Sequence, residues 1–221
     1  MRRLLEPQRS VLVVLPHPDD ESGMSGTIAY HVRNGTPVTY VCMTLGEMGR
    51  NMGKPLFANR ATLPLIRKQE LLESCRAIGI EDVRMWGLHD KMVEFEDREA
   101  LVRRIEDVIA EVNPSLVMTY YPGYSVHPDH NACGDAVVKA VERMPEERRP
   151  TVYCVAFSQG CEEILGPPDV INDVSAFYKQ KIGSYLGHRS QFQLMLGTTN
   201  FEDPELKARL GRERYWTYRF S

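Results

Sequence analysis

The 221-residue sequence lacks several features that would place it in other classes of protein. No apolar run approaches the roughly 20 residues needed to cross a bilayer. Basic residues are not in surplus, since the net charge is −3, so the chain offers no basic face for the phosphate backbones of nucleic acid. These absences argue against a membrane or nucleic-acid partner, and a small molecule is the expected partner.

Cysteine usage also excludes a disulfide framework. The five cysteines are odd in number and have no CxxC spacing, and Cys42, Cys75 and Cys154 lie in apolar segments. A thiol in such a segment behaves as a small hydrophobe. We expect the cysteines to be reduced and the protein to be cytoplasmic. The length fits a single domain, residues 1–221, with a core large enough to need no cross-links.

What the sequence does contain is an alternation of strand and helix patterns. The apolar runs of strand length are Val11 to Leu15, Val38 to Met43, Val83 to Trp86, Leu116 to Tyr121 and Val152 to Phe157. Segments of helical period lie at Gly26 to Val32, Leu65 to Ile78, Glu99 to Val112 and Cys133 to Met144, and weaker ones near Val174 to Tyr185 and Glu205 to Arg212. This order predicts an α/β fold, a single-domain Rossmann-like sandwich whose mostly parallel sheet carries helices on both faces.

Histidines and acids crowd the ends of two of these strands. His17, Asp19 and Asp20 follow the first strand, and His127, Asp129 and His130 follow the fourth. The carboxyl ends of parallel strands share one rim of an α/β sheet, where the active site usually lies. We therefore expect the two clusters to meet.

A metal site is the chemistry that these residue types favour. His17 and Asp20 are three residues apart in a turn, a spacing that lets an imidazole and a carboxylate converge on one ion, and His130 would complete the set. Two histidines and one carboxylate with an open position suit a hydrolytic zinc, one per chain, although ferrous iron is also compatible. Taken alone, His17 could instead be a histidine that caps a carbonyl at the rim.

Catalytic roles are expected for three further residues. Asp19 is the natural general base for an attacking water, which requires its pKa to lie above the ordinary value near 3.9. Its alternative role is the N-cap of a helix starting near Ser22. His127 is assigned to the developing oxyanion or to protonation of the leaving group. Asp129 would orient one of the histidine rings, and it could also cap a helix that begins near Asn131.

These motifs resemble those of the PIG-L/LmbE-like family of metal-dependent N-deacetylases, which act on N-acetylglucosamine conjugates. The resemblance covers nearly the whole chain. It implies zinc on His17, Asp20 and His130, a base at Asp19, and a transition-state partner at His127 oriented by Asp129. It rests on Pro16-His17-Pro18-Asp19-Asp20-Glu21, Gly46-Glu47-Met48-Gly49, Arg67 with Glu70, His127-Pro128-Asp129-His130, Lys181 and His188-Arg189-Ser190-Gln191.

Within the family, the length and the stretch from Tyr120 to Val126 look most like the second type of bacillithiol-pathway deacetylase. Those enzymes remove acetate from N-acetylglucosaminyl-malate, so the resemblance implies a small glycoside substrate. Arg67 would suit an anionic aglycone as a bidentate clamp, or would pair with Glu70 on a helix. Glu47, Arg50 and Asn51, on the long loop from Gly46 to Pro64, either hold sugar hydroxyls or are solvated.

Some alternatives stay open at this point. A metallo-phosphoesterase would need two ions per chain and a second carboxylate-rich site, and a sugar-conjugate-binding subunit would keep the site without turnover. The resemblance leaves open a homo-oligomer. The roles of His188 and Tyr124 are also open, because Tyr124 stands three residues before His127 where the related mycothiol-pathway enzymes are expected to have two.

Overall fold

The core of the molecule is a seven-stranded sheet. The computed structural model describes residues 5–220. The strands are β1 (Val11–Leu15), β2 (Val38–Thr44), β3 (Asp82–Leu88), β4 (Leu116–Tyr120), β5 (Thr151–Val155), β6 (Val170–Asp173) and β7 (Arg212–Thr217). Their spatial order is β3-β2-β1-β4-β5-β7-β6. Strands β1 to β5 are parallel, and β7 runs antiparallel to both of its neighbours.

Helices fill most of the connections between the strands. They are α1 (Ser25–Arg33), α2 (Leu63–Ile78), α3 (Arg98–Val112), α4 (Pro128–Glu142), α5 (Cys161–Leu165), α6 (Tyr178–Gly187), α7 (Arg189–Leu196) and α8 (Pro204–Leu210). Short 3-10 turns precede α1, α3, β5 and α6. In residues 5–220, no helix is both long and apolar enough to span a bilayer.

Both faces of the sheet are covered, as predicted. Successive residues of β1 point to opposite faces, so Val13 packs in one core cluster with side chains of α1 and α2, and Val14 packs in the other with side chains of α3 and α4. All five residues of β1 are buried. Burial on both faces explains why the parallel strands are uninterrupted apolar runs, and it confirms the α/β fold class.

All five predicted strands and all six predicted helices are present, with shifts at their ends. Strands β6 and β7 and helices α5 and α7 were not predicted. Helix α8 ends at Leu210 rather than Arg212, because Arg212 already begins β7. Strand β7 alternates exposed charged residues with buried ones, Tyr215 among them, so it lacks the apolar run of a central parallel strand.

The chain order reverses at β1. Strand β2 lies on one side of β1 and β4 on the other, both parallel to it. A crevice opens at the carboxyl edge of an α/β sheet where the strand order reverses in this way. The turn after β1 and the loop after β4 both enter this crevice, so the two histidine clusters meet there.

Candidate metal centre and active site

Hydrogen bonds from backbone N–H groups to the carboxylates of Asp20 and Glu21 stabilise the turn after β1. Asp19 adopts a left-handed backbone conformation, with φ of 105°, which is strained for a residue other than glycine. A carboxylate oxygen of Glu21 accepts the backbone N–H of Asp19 at 3.0 Å. A carboxylate oxygen of Asp20 accepts the backbone N–H of His17 at 2.8 Å. These bonds fix the positions from which Asp19 and Asp20 enter the crevice.

Three predicted ligands converge in this crevice. His17 Nδ1 lies 3.2 Å from His130 Nε2 and 3.4 Å from Asp20 Oδ2. His130 Nε2 lies 3.3 Å from Asp20 Oδ1. Two donors that each lie about 2.0–2.1 Å from a tetrahedral zinc are about 3.4 Å apart. The spacing of the three side chains therefore fits one such ion.

The hydrogen bonds of the two rings support the same conclusion. His130 Nδ1 donates to the carbonyl of Ser125 at 3.1 Å, since a carbonyl can only accept. His17 Nε2 faces the carboxylate of Asp129 at 3.1 Å. With the protons on those outer nitrogens, His17 Nδ1 and His130 Nε2 present facing lone pairs. A cation between them would satisfy both.

His17 also belongs to two other sets of possible ligands, one with His127 and His130 and one with Asp90 and Asp129, which face its Nε2. The carboxylate of Asp129 already accepts the backbone N–H groups of Lys91 at 2.7 Å and Val93 at 3.2 Å. Asp90 accepts the backbone N–H of Met48 at 2.8 Å. Carboxylates that already accept backbone N–H groups behave as outer partners that fix the tautomer of a ligand, so the Nδ1 side of His17 is the side that would hold an ion.

The carboxylates and imidazoles of the site shift one another's pKa values. Burial alone would raise the pKa of Asp20, but the imidazoles of His130 and His17 hold it well below its ordinary range. Burial would lower the pKa of His17, but the carboxylates of Asp129, Asp20 and Asp90 hold it well above its ordinary value. The crevice therefore favours an ionised carboxylate beside positive charge.

Asp19 lies beside the three ligands with its carboxylate on Arg67, at 2.8 Å. Burial raises the pKa of Asp19 above its ordinary value, while the Arg67 guanidinium opposes that rise. The direction agrees with the one that a general base requires. Asp19 occupies the N-cap position before the 3-10 turn Asp20–Gly23, but its side chain makes no capping hydrogen bond, so the carboxylate is free to face the site.

His127 is the N-cap of α4. Its Nδ1 accepts the backbone N–H of Asp129 at 3.2 Å, which leaves Nε2 to carry the proton of the neutral ring. The ring packs edge-on to His17, with centroids 4.8 Å apart. Burial and the nearby His17 and His130 lower the pKa of His127. Val126 before it has φ of 59°, a strained conformation for a β-branched residue.

Asp129 orients a different ring from the one that the resemblance implied. Its carboxylate contacts His17, whereas its contact with His127 is made by its backbone N–H. Helix α4 begins at Pro128, so Asp129 sits within the first turn and is not a cap. The expectation that Asp129 orients His127 is therefore corrected: the carboxylate holds a predicted metal ligand.

Several residues of the site were missed by sequence reasoning. The hydroxyl of Tyr120 donates to Asp20 Oδ1 at 2.9 Å, and its ring stacks on His130 with centroids 4.1 Å apart. Asp90 and Lys91 enter from the end of β3. The position of Tyr120 at the last residue of β4 was an available signal. The parts played by Asp90 and Lys91 depend on packing alone.

His188 does not contact the predicted ligands; it contacts Glu21, which binds the backbone of Asp19. Its Nε2 lies 2.5 Å from a carboxylate oxygen of the fully buried Glu21. Ser74 donates to the same oxygen at 2.5 Å, and Tyr40 donates to the other at 3.2 Å. Burial opposes both shifts, but each partner's charge raises the pKa of His188 and lowers that of Glu21. The pair forms a buried support beneath the backbone of Asp19.

The predicted substrate-binding residues divide into two groups. Arg50 is exposed and lines a polar cleft beside the centre. Arg67 also lines it but is buried, donates to the carbonyls of Gly46 and Pro18, and pairs with Asp19 instead of Glu70. Glu47 accepts the backbone N–H of Asp90 at 2.8 Å. Asn51 donates to the carbonyl of Gln191 at 3.0 Å. The latter two hold loops in place, and neither lines the cleft.

Two cavities border the centre. The polar cleft has a volume of about 330 Å³ and includes Arg50, Lys91, His127 and Gln191 in its wall. The apolar cavity has a volume of about 570 Å³ and is walled mainly by side chains from α6 to α8. Both include Asp19, Asp20 and His130. Tyr124 belongs to neither wall among the described residues; its ring packs on Tyr121.

Two histidines and a carboxylate converge at the carboxyl edge of this reversed α/β sheet, an arrangement that is typical of metal-dependent hydrolytic enzymes. The family model described as GlcNAc-PI de-N-acetylase, PIG-L, matches residues 12–141. This is more than half of the chain, and the chain belongs to the PIG-L family. Proteins of this family are metal-dependent deacetylases.

Relatives of nearly the same length extend the match. A Bacillus cereus protein named probable N-acetyl-alpha-D-glucosaminyl L-malate deacetylase 2 is 50% identical over 218 residues, covering 96% of this chain and 99% of that protein. A Bacillus subtilis protein of the same name is 49% identical over 216 residues, covering 96% and 98%. The similarity therefore includes the C-terminal region beyond the family model.

Solved structures share the fold. The N,N'-diacetylchitobiose deacetylase of Pyrococcus horikoshii superposes with a TM-score of 0.71 at 23% identity, covering 96% of this chain and 83% of that one. A 4-carboxy-2-hydroxymuconate hydratase from Pseudomonas putida gives 0.73 at 20% identity, covering 96% and 98%. Because a deacetylase and a hydratase both have this fold, these likenesses concern architecture alone.

Proposed function

We propose that the chain is a zinc-dependent N-deacetylase that hydrolyses the acetamide of N-acetylglucosaminyl-malate in bacillithiol biosynthesis. The observation that carries the proposal is the convergence of His17 Nδ1, His130 Nε2 and Asp20 within 3.2–3.4 Å of one another. Membership of the PIG-L family and the names of the two Bacillus relatives support the reaction and the substrate.

His17, Asp20 and His130 would hold the ion. A divalent cation bound there supplies Lewis-acid polarisation of the acetamide carbonyl and lowers the pKa of water. Two imidazoles and one carboxylate also suit ferrous iron, but zinc is the more common partner of this ligand set in hydrolases. Tyr120 and Asp129 would fix Asp20 and His17 in their ligating positions.

Asp19 removes the proton from the attacking water, because its carboxylate stands next to the ligands and its pKa is raised by burial. His127 Nε2 donates a hydrogen bond to the oxygen that becomes negative as the carbonyl is attacked. Asp19 then returns the proton to the departing nitrogen, and acetate and the free amine result.

The polar cleft is suited to the sugar and its anionic aglycone. Arg50 and Lys91 are exposed cations on its wall, and malate carries two carboxylates that such cations attract. Arg67 remains a proposed substrate-binding residue because it lines this cleft, where its guanidinium pairs with Asp19. The five cysteines are unpaired and buried, which supports the proposal of a reducing, cytoplasmic location.

Release of free amine from N-acetylglucosaminyl-malate tests the proposal, with plain N-acetylglucosamine and chelator-treated protein run in parallel. The proposal predicts turnover that is lost on chelation, returns with zinc, and is much faster for the malate conjugate. Equal rates for the two substrates would remove the malate assignment. An absence of amine from both, with zinc bound, would remove the deacetylase assignment.

A further inference from the structure

The apolar cavity and the polar cleft meet at the proposed catalytic residues, and they differ in chemistry. Asp19, Asp20 and His130 form their common wall. Beyond that wall, the apolar cavity is lined mainly by aromatic and aliphatic side chains such as Ile182, Phe192, Leu196 and Leu206, with Thr199 and Arg209 as its polar members. A substrate held at the common wall can therefore extend in two directions, one polar and one apolar.

The size of the apolar cavity exceeds what an acetyl group needs. A water molecule takes about 30 Å³, and the single methyl of an acetyl group is of similar size, whereas the cavity measures about 570 Å³. Cavities of about 300–1,000 Å³ with mainly apolar walls hold ligands of many heavy atoms. The deacetylation proposed above leaves most of this volume unused.

The two ends of an amide substrate match the polar cleft and the apolar cavity. With the carbonyl carbon at the common wall, the nitrogen and its sugar must leave on one side and the acyl chain on the other. The sugar and its carboxylates belong in the polar cleft, beside Arg50, Lys91 and Gln191. The acyl chain is then directed toward the apolar cavity, where burial of each methylene is favourable.

We infer that the chain also hydrolyses N-acyl-glucosamine conjugates whose acyl group is longer than acetyl, with a straight chain of about four to eight carbons lying in the apolar cavity. The inference rests on the proposed function, because it uses the same centre and the same attack. The oxygen of water bonds to the carbonyl carbon, the C–N bond breaks with its electron pair on nitrogen, the nitrogen takes both protons of the water, and a fatty carboxylate and an ammonium group result.

A series of N-acetyl, N-butanoyl, N-hexanoyl and N-octanoyl glucosaminyl-malate, assayed for amine release by the zinc-loaded protein, tests the inference. We expect kcat/KM for the hexanoyl conjugate to exceed that for the acetyl conjugate by about tenfold or more, since methylenes in an apolar pocket discriminate on that scale. A steady fall in kcat/KM with each added pair of carbons would overturn it.

A second arm distinguishes the acyl chain from an apolar aglycone. Octyl 2-acetamido-2-deoxyglucoside carries the alkyl chain on the sugar side of the amide. The inference predicts no gain for this glycoside over plain N-acetylglucosamine. A large gain for it, without one for the longer acyl groups, would assign the cavity to the aglycone and overturn the inference.

Variants that fill the apolar cavity test whether the preference for longer acyl groups arises there. Leu196→Trp on α7 and Leu206→Trp on α8 both place an indole in the cavity wall. In each, we expect the ratio of hexanoyl to acetyl kcat/KM to fall by at least tenfold. The matched control is Leu194→Trp, since Leu194 is 55% exposed and does not line the cavity; its ratio should equal that of the wild type. An unchanged ratio in both filled variants would contradict the inference.

The series also separates this inference from the proposed function. Turnover of the acetyl conjugate with none of the longer ones overturns the inference alone. Turnover of the longer conjugates without the acetyl one leaves the inference standing and removes the proposed substrate. No turnover of any conjugate removes both.

Discussion

The backbone position of Asp19 depends on Glu21, a residue of the same sequence motif for which no role was predicted. Glu21 is fully buried, accepts the backbone N–H of Asp19 at 3.0 Å, and pairs with His188. A carboxylate that fixes a backbone from inside the protein acts through the residue it positions. The strained conformation of Asp19 is thus maintained by contacts that reach from β1 to the loop after α6.

Glu21→Gln keeps the shape of this support and removes its charge. We expect kcat to fall by roughly 10- to 100-fold, the usual effect of losing a hydrogen bond behind an active group, while the zinc content is unchanged. Steady-state kinetics and metal analysis of the purified variant check this. Glu73→Gln, an exposed residue of α2, is the control. A wild-type kcat in Glu21→Gln would show that Asp19 needs no such support.

His31 makes stability depend on pH. It is 1% exposed, and burial lowers its pKa from 6.5 to about 4. Between those values the unfolded chain binds a proton that the folded chain does not, so stability is complete above pH 6.5 and is lost as pH falls toward 4. A shift of roughly 2.5 units corresponds to about 3 kcal/mol.

Denaturant unfolding of the wild type and of His31→Phe, at pH 7.5 and pH 4.5, measures this contribution. We expect the loss of unfolding free energy between the two pH values to be about 2–3 kcal/mol smaller in the variant. Equal losses in the two proteins would show that His31 is not the group responsible.

At the scale of elements, the sequence predicts what is local and apolar. The parallel strands were found because burial on both faces makes them continuous apolar runs. The predicted site residues were found because they lie in the segments that follow strands β1 and β4: His17, Asp19, Asp20, His127 and His130. Strand β7 was missed because its charged residues interrupt the apolar pattern. The roles of Glu21, Asp90 and His188 were not predicted because their partners lie far along the chain or in another element.

Strand β7 also caps a distant helix. Both carboxylate oxygens of Glu213 accept backbone N–H groups at the start of α1, from Gly26 and Thr27, each at 2.8 Å. Lys181 of α6 pairs with the same carboxylate. The three elements are therefore joined by a buried charge cluster, since Glu213 and Lys181 are both 3% exposed.

A double-mutant cycle measures this junction. Glu213→Leu should cost about 3–5 kcal/mol of unfolding free energy, because it leaves the Lys181 ammonium buried without its partner. Adding Lys181→Met should restore part of that loss, as replacing a whole buried pair is milder than breaking it. Denaturant titrations of the four proteins give the coupling energy. Additive effects of the two substitutions would rule out the pair as the stabilising unit.

At the scale of the whole molecule, the proposed ion joins segments that are far apart in the sequence. His17 and Asp20 follow β1, and His130 lies in the first turn of α4. An ion that binds the folded chain and not the unfolded one stabilises the fold by about 4 kcal/mol at a free concentration of 1,000 times its Kd. Removal of the ion should therefore lower the stability of the whole fold.

Thermal unfolding before and after chelation checks this. We expect Tm to fall by several degrees on removal of the metal and to recover when zinc is returned, because the loss is one of binding and not of damage. His130→Ala, which lacks one ligand, should show a Tm that zinc barely changes. An unchanged Tm in the chelated wild type would contradict a bound ion at this position.

We propose that His17, Asp20 and His130 hold one ion while Asp19 transfers the proton. Measuring zinc per chain and kcat together, in the wild type and in Asp19→Asn, tests it most directly. We expect one zinc in both proteins, with kcat lower in the variant by about 10²- to 10⁴-fold. Loss of zinc from Asp19→Asn, near-normal turnover by this variant, or two ions in the wild type would contradict these roles.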